Sequence, residues 1–290
     1  MSVTVSQLLS KGKERLGNAG LEDPDISAEL LLRSLLQMER SQLILNSTQI
    51  VGHNQEIEYN NLLEKRARHV PLQYLTGWVD FYNVRLHCDS RALIPRPETE
   101  MLVDTVISKS RRFQNPRVID IGVGSGNISI SIAKTIHTDG IVGVDISAAA
   151  LELAAENARF NHLESKIELR QGDIYDLEFV KSLGKFDCVI SNPPYVAVAD
   201  KQSLQPEITQ FEPEIAVFAG DDPLKFFKTI VGSISYILDI GGLLAFEIGM
   251  GQTDNIRDLL KSEFSEIEVF EDLAGIERVI TGIYAGPDKR

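Results

Sequence analysis

Asp120-Ile121-Gly122-Val123-Gly124-Ser125-Gly126-Asn127 continues directly from an apolar strand-like segment, Arg117–Ile121. Three alternating glycines just past a strand let the backbone turn sharply and approach a ligand at contact distance. A dinucleotide fingerprint needs its third glycine where Asn127 stands, so a pyrophosphate ligand fits poorly. A tight structural turn is the plain alternative.

From this strand and turn onward, strand-like and helix-like segments alternate. The strands are expected at Gly140–Val144, Ile167–Gln171, Phe186–Ser191, Gly242–Glu247, Ile267–Phe270 and Arg278–Tyr284, and the helices at Asn127–Thr138, Ala148–Asn161, Pro223–Leu238 and Thr253–Phe264. Such an order implies an α/β fold with a mostly parallel, doubly wound sheet that binds ligands at the carboxyl ends of its strands. The last two strands have no helical pattern between them, so an antiparallel edge is expected. The long stretch Val196–Asp222 reads as a lid or binding loop.

Upstream the period is helical. Leu8, Leu9 and Leu16 fit one helix face; Ile26, Leu30, Leu31, Leu35 and Leu36 fit a second helix that Pro24 can start; Ile57, Leu62 and Leu63 fall in a third that stops before Pro71. Trp78 to Leu93 alternates around a turn near Asn83, which suggests a hairpin. Pro97 suits the start of the next helix. The domains are therefore expected at 1–76 (a small helical bundle), 77–94 (a β-hairpin linker) and 95–290 (the α/β domain).

The 290 residues are 43% hydrophobic and 24% charged, with a formal charge of −13. Residues 1–76 hold 8 Lys+Arg against 9 Asp+Glu, and the remainder 21 against 33. So acidic a larger part is a poor partner for a phosphate backbone, and no direct nucleic-acid contact is expected. The basic cluster Lys65-Arg66-Arg68 reads as a solvated helix face. Cys88 and Cys188 sit in apolar stretches and read as buried thiols of a reducing compartment. No signal peptide, membrane association or span is indicated, so the cytoplasm is the expected location. His53, His69, His87, His137 and His162 lack metal-ligand spacing, and no metal is expected.

The glycine turn suits a cofactor without a pyrophosphate, and S-adenosylmethionine (SAM) fits it. Gly122, Val123, Gly124, Ser125 and Gly126 would pack against the cofactor's amino acid portion and sulfonium. Asp120 would meet its ammonium or order the loop. Asp145, ending the next strand, would accept from both ribose hydroxyls, or else cap the helix that follows. Asp173 would accept from the adenine amine while Ile174 packs on the base.

Ser191-Asn192-Pro193-Pro194-Tyr195 closes the strand Phe186–Ser191. The Asn192 side-chain oxygen and the Pro193 carbonyl can each accept an N–H from a planar amide or amine. Such bonds strengthen as the nitrogen gains positive charge during methyl transfer. The prolines lock φ and carry no N–H, so the carbonyl is held outward. Tyr195 would stack on the flat target. Asn192 also borders the expected cofactor site.

Several segments together resemble one family. These are the helical head, Pro71-Leu72-Gln73-Tyr74-Leu75-Thr76-Gly77, Ile94-Pro95-Arg96-Pro97-Glu98-Thr99-Glu100, the glycine turn, Asn192 to Tyr195, Phe211-Glu212-Pro213 and the terminal Asp272 to Val279. The chain is similar to the peptide-chain-release-factor glutamine methyltransferases of the HemK/PrmC type. The resemblance implies a Rossmann-like SAM-dependent methyltransferase sheet behind a helical domain that docks class 1 peptide chain release factors. It further implies methylation of the glutamine amide in their Gly-Gly-Gln motif, which supports translation termination. Ile174 stands where the family often has an aromatic, and Phe211 where tyrosine is common. Roles for Arg96, Glu98, Glu100 and Glu247 stay open. The competing readings are a nucleic-acid adenine methyltransferase, which shares the Asn-Pro-Pro-Tyr box, a nicotinamide-dependent oxidoreductase, and a non-catalytic SAM-binding adaptor.

Overall fold

A computed structural model describes residues 3–287. Among them no helix is long and apolar enough to cross a membrane. The chain forms two compact units, residues up to 78 together with Gln205–Phe211, and residues 79–204 together with those from 212 onward.

The first unit contains β1 (Val3–Thr4), α1 (Val5–Asn18), α2 (Pro24–Leu36), α3 (Arg40–Leu45), β2 (Ile50–Val51), α4 (His53–Ala67) and α5 (Leu72–Thr76). Thr4 caps α1 in a reciprocal box with Gln7, and Pro24 opens α2. Leu8, Leu16, Leu31 and Leu63 form its core as the spacing predicts, joined by Leu32, which the spacing did not include. Ile26 and Ile57 do not, being 57% and 48% exposed. The buried stripe of α2 is rotated to Ser27, Ala28, Leu31 and Leu32, and α4 buries Tyr59 where the apolar pattern suggested Ile57. The Tyr59 hydroxyl donates to the Ala28 carbonyl at 3.0 Å, so a phenol becomes a core residue.

Arg66 corrects the reading of its cluster as a solvated face. Its guanidinium donates to the Ser27 hydroxyl, the Val70 carbonyl and Glu207, the last at 2.9 Å, and its side chain is only 11% exposed. His69 Nδ1 lies 3.1 Å from the same carboxylate. Glu207 belongs to α10 (Pro206–Phe211), so part of the long loop is bound to the helical unit by an ion pair that hydropathy cannot reveal.

The second unit, from Val79 on, takes in all but the first residue of the hairpin β3 (Trp78–Phe81) and β4 (Val84–His87), which turns at Tyr82 and Asn83. Then come α6 (Thr99–Lys109), β5 (Val118–Ile121), α7 (Asn127–Thr135), β6 (Ile141–Asp145), α8 (Ala148–Phe160), β7 (Ile167–Gln171), α9 (Leu177–Ser182) and β8 (Phe186–Ser191). After the loop with α10 and α11 (Glu214–Val217) follow α12 (Lys225–Ile237), β9 (Leu238–Glu247), α13 (Thr253–Leu260), β10 (Phe264–Glu271) and β11 (Glu277–Tyr284). Their seven strands form one sheet in the order β10-β11-β9-β8-β5-β6-β7. The pairs β5–β6, β6–β7, β5–β8 and β8–β9 are parallel, while β11 lies antiparallel to both β9 and β10, the edge expected from the sequence.

Hydrophobic clusters cover both sheet faces. Phe186, Val189, Phe227, Ile234 and Phe246 belong to one, and Leu102, Val106, Ile130, Cys188 and Ile190 to the other. That is why β5 and β8 read as nearly unbroken apolar runs. Both cysteines are free and buried. Sequence periodicity missed α9 and α5, each too short to display a period.

Gly12 faces Tyr59 at close range: a Cβ there would stand 2.2 Å from the Tyr59 hydroxyl oxygen. The contact leaves no room without displacing a fully buried ring. Gly12→Ala is therefore expected to destabilise the protein by about 2 kcal/mol in urea unfolding. A stability equal to that of the parent would show that the ring moves aside freely.

Candidate functional site

The chain order reverses at the centre of the sheet. From β5 the chain proceeds to β6 and β7 on one side and then to β8 on the other, so the carboxyl ends of β5 and β8 border a switch point where α/β sheets bind ligands. Ile121 pairs with Ser191, whose hydroxyl donates to the Ile121 carbonyl at 2.7 Å. The glycine turn and the Asn-Pro-Pro box thus leave the rim side by side. A cavity of about 460 Å³ opens there, within the usual range for a small-ligand site.

Gly122, Val123, Gly124, Ser125, Asp145, Asp173, Ile174, Asn192, Pro193 and Pro194 all line it. Gly122 and Gly124 have φ of 78° and 53°, conformations that favour glycine and leave bare backbone toward the cavity. Asp145 is held from both ends: one carboxylate oxygen accepts from Gly124 N at 3.0 Å, the other from Ser147 N at 2.9 Å. It both caps the next turn and clamps the glycine loop. Burial holds its carboxyl above the ordinary range against those hydrogen bonds.

Three residues expected at the ligand do not line the cavity. Gly126 is a turn residue with φ of 82°. Asp120 lies below the loop, 1% exposed, with one oxygen accepting from the Ser129 hydroxyl at 2.7 Å and the other without a partner. Burial pushes its carboxyl up to about 6. Tyr195 turns inward, its hydroxyl 3.3 Å from Glu247 and its carbonyl accepting from Gln252 at 3.0 Å. Its ring packs on the hydrophobic core.

Other residues on the wall carried no signal in the sequence. Tyr175 and Phe226 lie beside Ile174 with ring centroids 5.4 Å apart, and the Lys225 ammonium stands 4.5 Å from the Tyr175 ring centroid. They supply aromatic surface where Ile174 itself has none. Arg96 and Thr99 also line the cavity. Arg96 pairs with Glu212, whose buried carboxylate also accepts from Ile94 N at 3.0 Å. Glu100 accepts from Tyr82 N at 2.8 Å. The segment Ile94 to Glu100 is thereby ordered by carboxylates at both ends. Fully buried Asn157 joins His87 N and O to the Ser125 carbonyl, fixing the hairpin against the glycine loop.

The Asn192 amide donates through Nδ2 to Thr99 Oγ1 at 3.2 Å. Asn192 itself lines the cavity, and its carbonyl oxygen remains an acceptor. Among the described residues no group of His, Cys, Asp and Glu is arranged to hold a metal.

The PrmC N-terminal domain family matches residues 7–77, and a methyltransferase domain family matches residues 113–231. A release factor glutamine methyltransferase of Deinococcus radiodurans is 34% identical over 279 residues, spanning 96% of this chain and 98% of that protein. The chain belongs to the release factor glutamine methyltransferase family. The namesake from Thermodesulfovibrio yellowstonii is 36% identical over 256 residues, 87% of this chain and 90% of its own length. A crystal structure of the hMettl16 catalytic domain in complex with the MAT2A 3'UTR hairpin 6 is 13% identical with a TM-score of 0.53, covering 81% of this chain and 84% of that one, and shares the fold. As a release factor glutamine methyltransferase by family, the chain is a methyltransferase enzyme.

The unpartnered Asp120 oxygen has a measurable consequence. Because its folded value of about 6 exceeds the ordinary 3.8, Asp120 favours folding fully below about pH 4, and that contribution is lost as the pH rises to 6. Relative to Asp120→Asn, the native protein should lose up to about 3 kcal/mol between these limits in urea titrations at successive pH values. A pH-independent difference would mean that Asp120 titrates normally.

Proposed function

We propose that the chain transfers a methyl group from SAM to the side-chain amide nitrogen of the glutamine in the Gly-Gly-Gln motif of class 1 release factors, supporting translation termination. The observation that carries this reading is the Asn192 amide, anchored through its nitrogen in the wall of a cavity that begins at the glycine loop, which leaves its carbonyl oxygen as the acceptor.

The residues at the rim suit SAM. The bare backbone of Gly122 to Ser125 would take its amino acid portion, Asp145 its ribose, and Asp173 with Ile174 its adenine, flanked by Tyr175 and Phe226. When bound, it supplies an electrophilic methyl on a sulfonium. The protein's own residues then act on the acceptor. Asn192 Oδ1 and the Pro193 carbonyl accept one N–H each from the glutamine amide, holding its plane and drawing electron density toward nitrogen. Because these bonds tighten as the N–H groups become more acidic, they favour the transition state over the ground state. Holding the two reactants in line supplies most of the remaining acceleration. Pro194, also without an N–H, places no donor on the wall to compete. The inward Tyr195 supports the box from beneath instead of stacking on the substrate.

For the helical unit we assign docking of the release factor. Exposed Ile44, Leu45 and Ile50, at 66%, 82% and 62%, give it apolar surface suited to a protein partner. The homologues named release factor glutamine methyltransferase support the same substrate class.

Incubated with SAM and a release factor, the protein should add one methyl mass to the peptide containing Gly-Gly-Gln. Asn192→Ala should lower kcat by roughly 100-fold or more while leaving SAM affinity nearly unchanged. Mass spectrometry of the digest and calorimetric titration with SAM check both. Methylation of DNA with an unmodified peptide would reject the assignment.

A further inference from the structure

Asp272 to Val279, one of the segments that carry the family resemblance, has no part in the cavity wall. It holds the turn between β10 and β11, and the register of the sheet fixes where that turn stands. Ser191 pairs with Phe246 and Glu247 with Val279, so Asn192 leaves the sheet at the level of Val279. Glu277, where the hairpin closes on Glu271, lies two residues further out. From the usual rise per residue and spacing between strands, the turn starts about 7 Å beyond the level of Asn192 and about 10 Å to its side.

The turn is held by its own hydrogen bonds. Asp272 Oδ1 accepts from Ala274 N at 2.9 Å and Ile276 N at 3.0 Å, and its Oδ2 from Arg278 Nε at 2.9 Å. Gly275, with φ of 75°, donates to the Asp272 carbonyl at 2.9 Å. Thr253 Oγ1, at the start of α13, donates to Glu277 at 2.5 Å and ties down the base. This frame presents an apolar side chain, for Leu273 is 110% exposed.

A second one follows β9, the strand between β8 and β11. Gly249-Met250-Gly251-Gln252 form a turn in which Gln252 N donates to the Gly249 carbonyl at 3.2 Å and Gly249 N to Gln252 Oε1 at 3.0 Å. Gln252 Nε2 donates in turn to the Tyr195 carbonyl at 3.0 Å, so this turn is fastened to the residue that follows the Asn-Pro-Pro box. Met250 on it is 79% exposed. Turn tips ordinarily carry glycine or polar residues. Two apolar side chains held in water on tied turns add little to folding, and they suit burial against a protein surface.

We propose that Met250 and Leu273 form a docking surface of the α/β unit that covers an uncharged apolar patch of the release factor beside its Gly-Gly-Gln motif. The assignment rests on the reading that a release factor presents that glutamine to Asn192. A glutamine side chain that reaches Asn192 leaves the rest of its protein outside the cavity, and the rim on the β9 and β11 side is continuous with the box. The flexible thioether of Met250 adapts to the facing surface, while Leu273 is offered on a turn already ordered, which limits the entropy lost on binding.

Ile240 supplies the control, since it is apolar and 76% exposed but lies at the amino end of β9, on the opposite rim. Leu273→Asp and Met250→Asp should each raise KM for the release factor about tenfold, leaving kcat, SAM affinity and Tm at parental values. Ile240→Asp should change none of these. Parental KM in either of the first two overturns the docking surface. A second measurement does not depend on turnover. Because Cys88 and Cys188 are buried, Leu273→Cys provides one exposed thiol for a photo-crosslinking label. Illumination should join it to a release factor peptide next to Gly-Gly-Gln, and a label carried by Ile240→Cys should not be joined. Equal crosslinking from both positions overturns the surface. A crosslink beside Gly-Gly-Gln, in a parent protein that leaves that glutamine unmethylated, upholds the surface and overturns the methylation reading instead.

Discussion

The parallel pairing of β5 with β8 is the constraint on which the site depends. These strands are separated by some 70 residues in the chain, yet Val118 to Ile121 pair in register with Cys188 to Ser191. Apolar side chains on both faces fix that register, because a slip of one residue would exchange every side chain between faces. The Ser191 hydroxyl on the Ile121 carbonyl closes the ladder at the rim. With the register set, the glycine loop and Asn192 emerge as neighbours, and the cavity between them follows.

Polar groups at this rim are held under unusual conditions. Asp120 and Glu247 lie at or beside the ends of β5 and β9, nearly inaccessible to water, each with an oxygen that no partner satisfies. Glu212 is equally buried but shared between Arg96 and Ile94 N. A low-dielectric rim makes each hydrogen bond stronger and more directional, and makes each unpaired oxygen costly. The hydrophobic layers on both faces of the sheet carry that cost.

Much of the framework was legible because it is local. Strand and helix periods located every strand of the central sheet to within a few residues, and the missing helix between the last two strands foretold the antiparallel edge. The glycine spacing located a turn that lines the cavity, and Asn192-Pro193-Pro194 lines it too. Reading failed where side-chain polarity misrepresented environment. Tyr59 is core although its hydroxyl is polar, Arg66 is nearly buried although it sits in a basic cluster, and Ile26 and Ile57 are exposed although apolar. It failed also at Gln205–Phe211, which joins the helical unit through Glu207, a contact more than 130 residues distant in sequence.

By itself the sequence determined the α/β class, the order of its elements and the residue types that meet at the strand tips, since each is set by periodicity and by backbone preferences over a few neighbours. The tertiary structure alone decided that Tyr195 and Asp120 face inward, that Tyr175 and Phe226 border Ile174, and that Thr99 receives the Asn192 amide nitrogen. Those outcomes depend on which distant groups share a desolvated space. Burial and hydrogen-bond direction are properties of that space, and no local pattern encodes them.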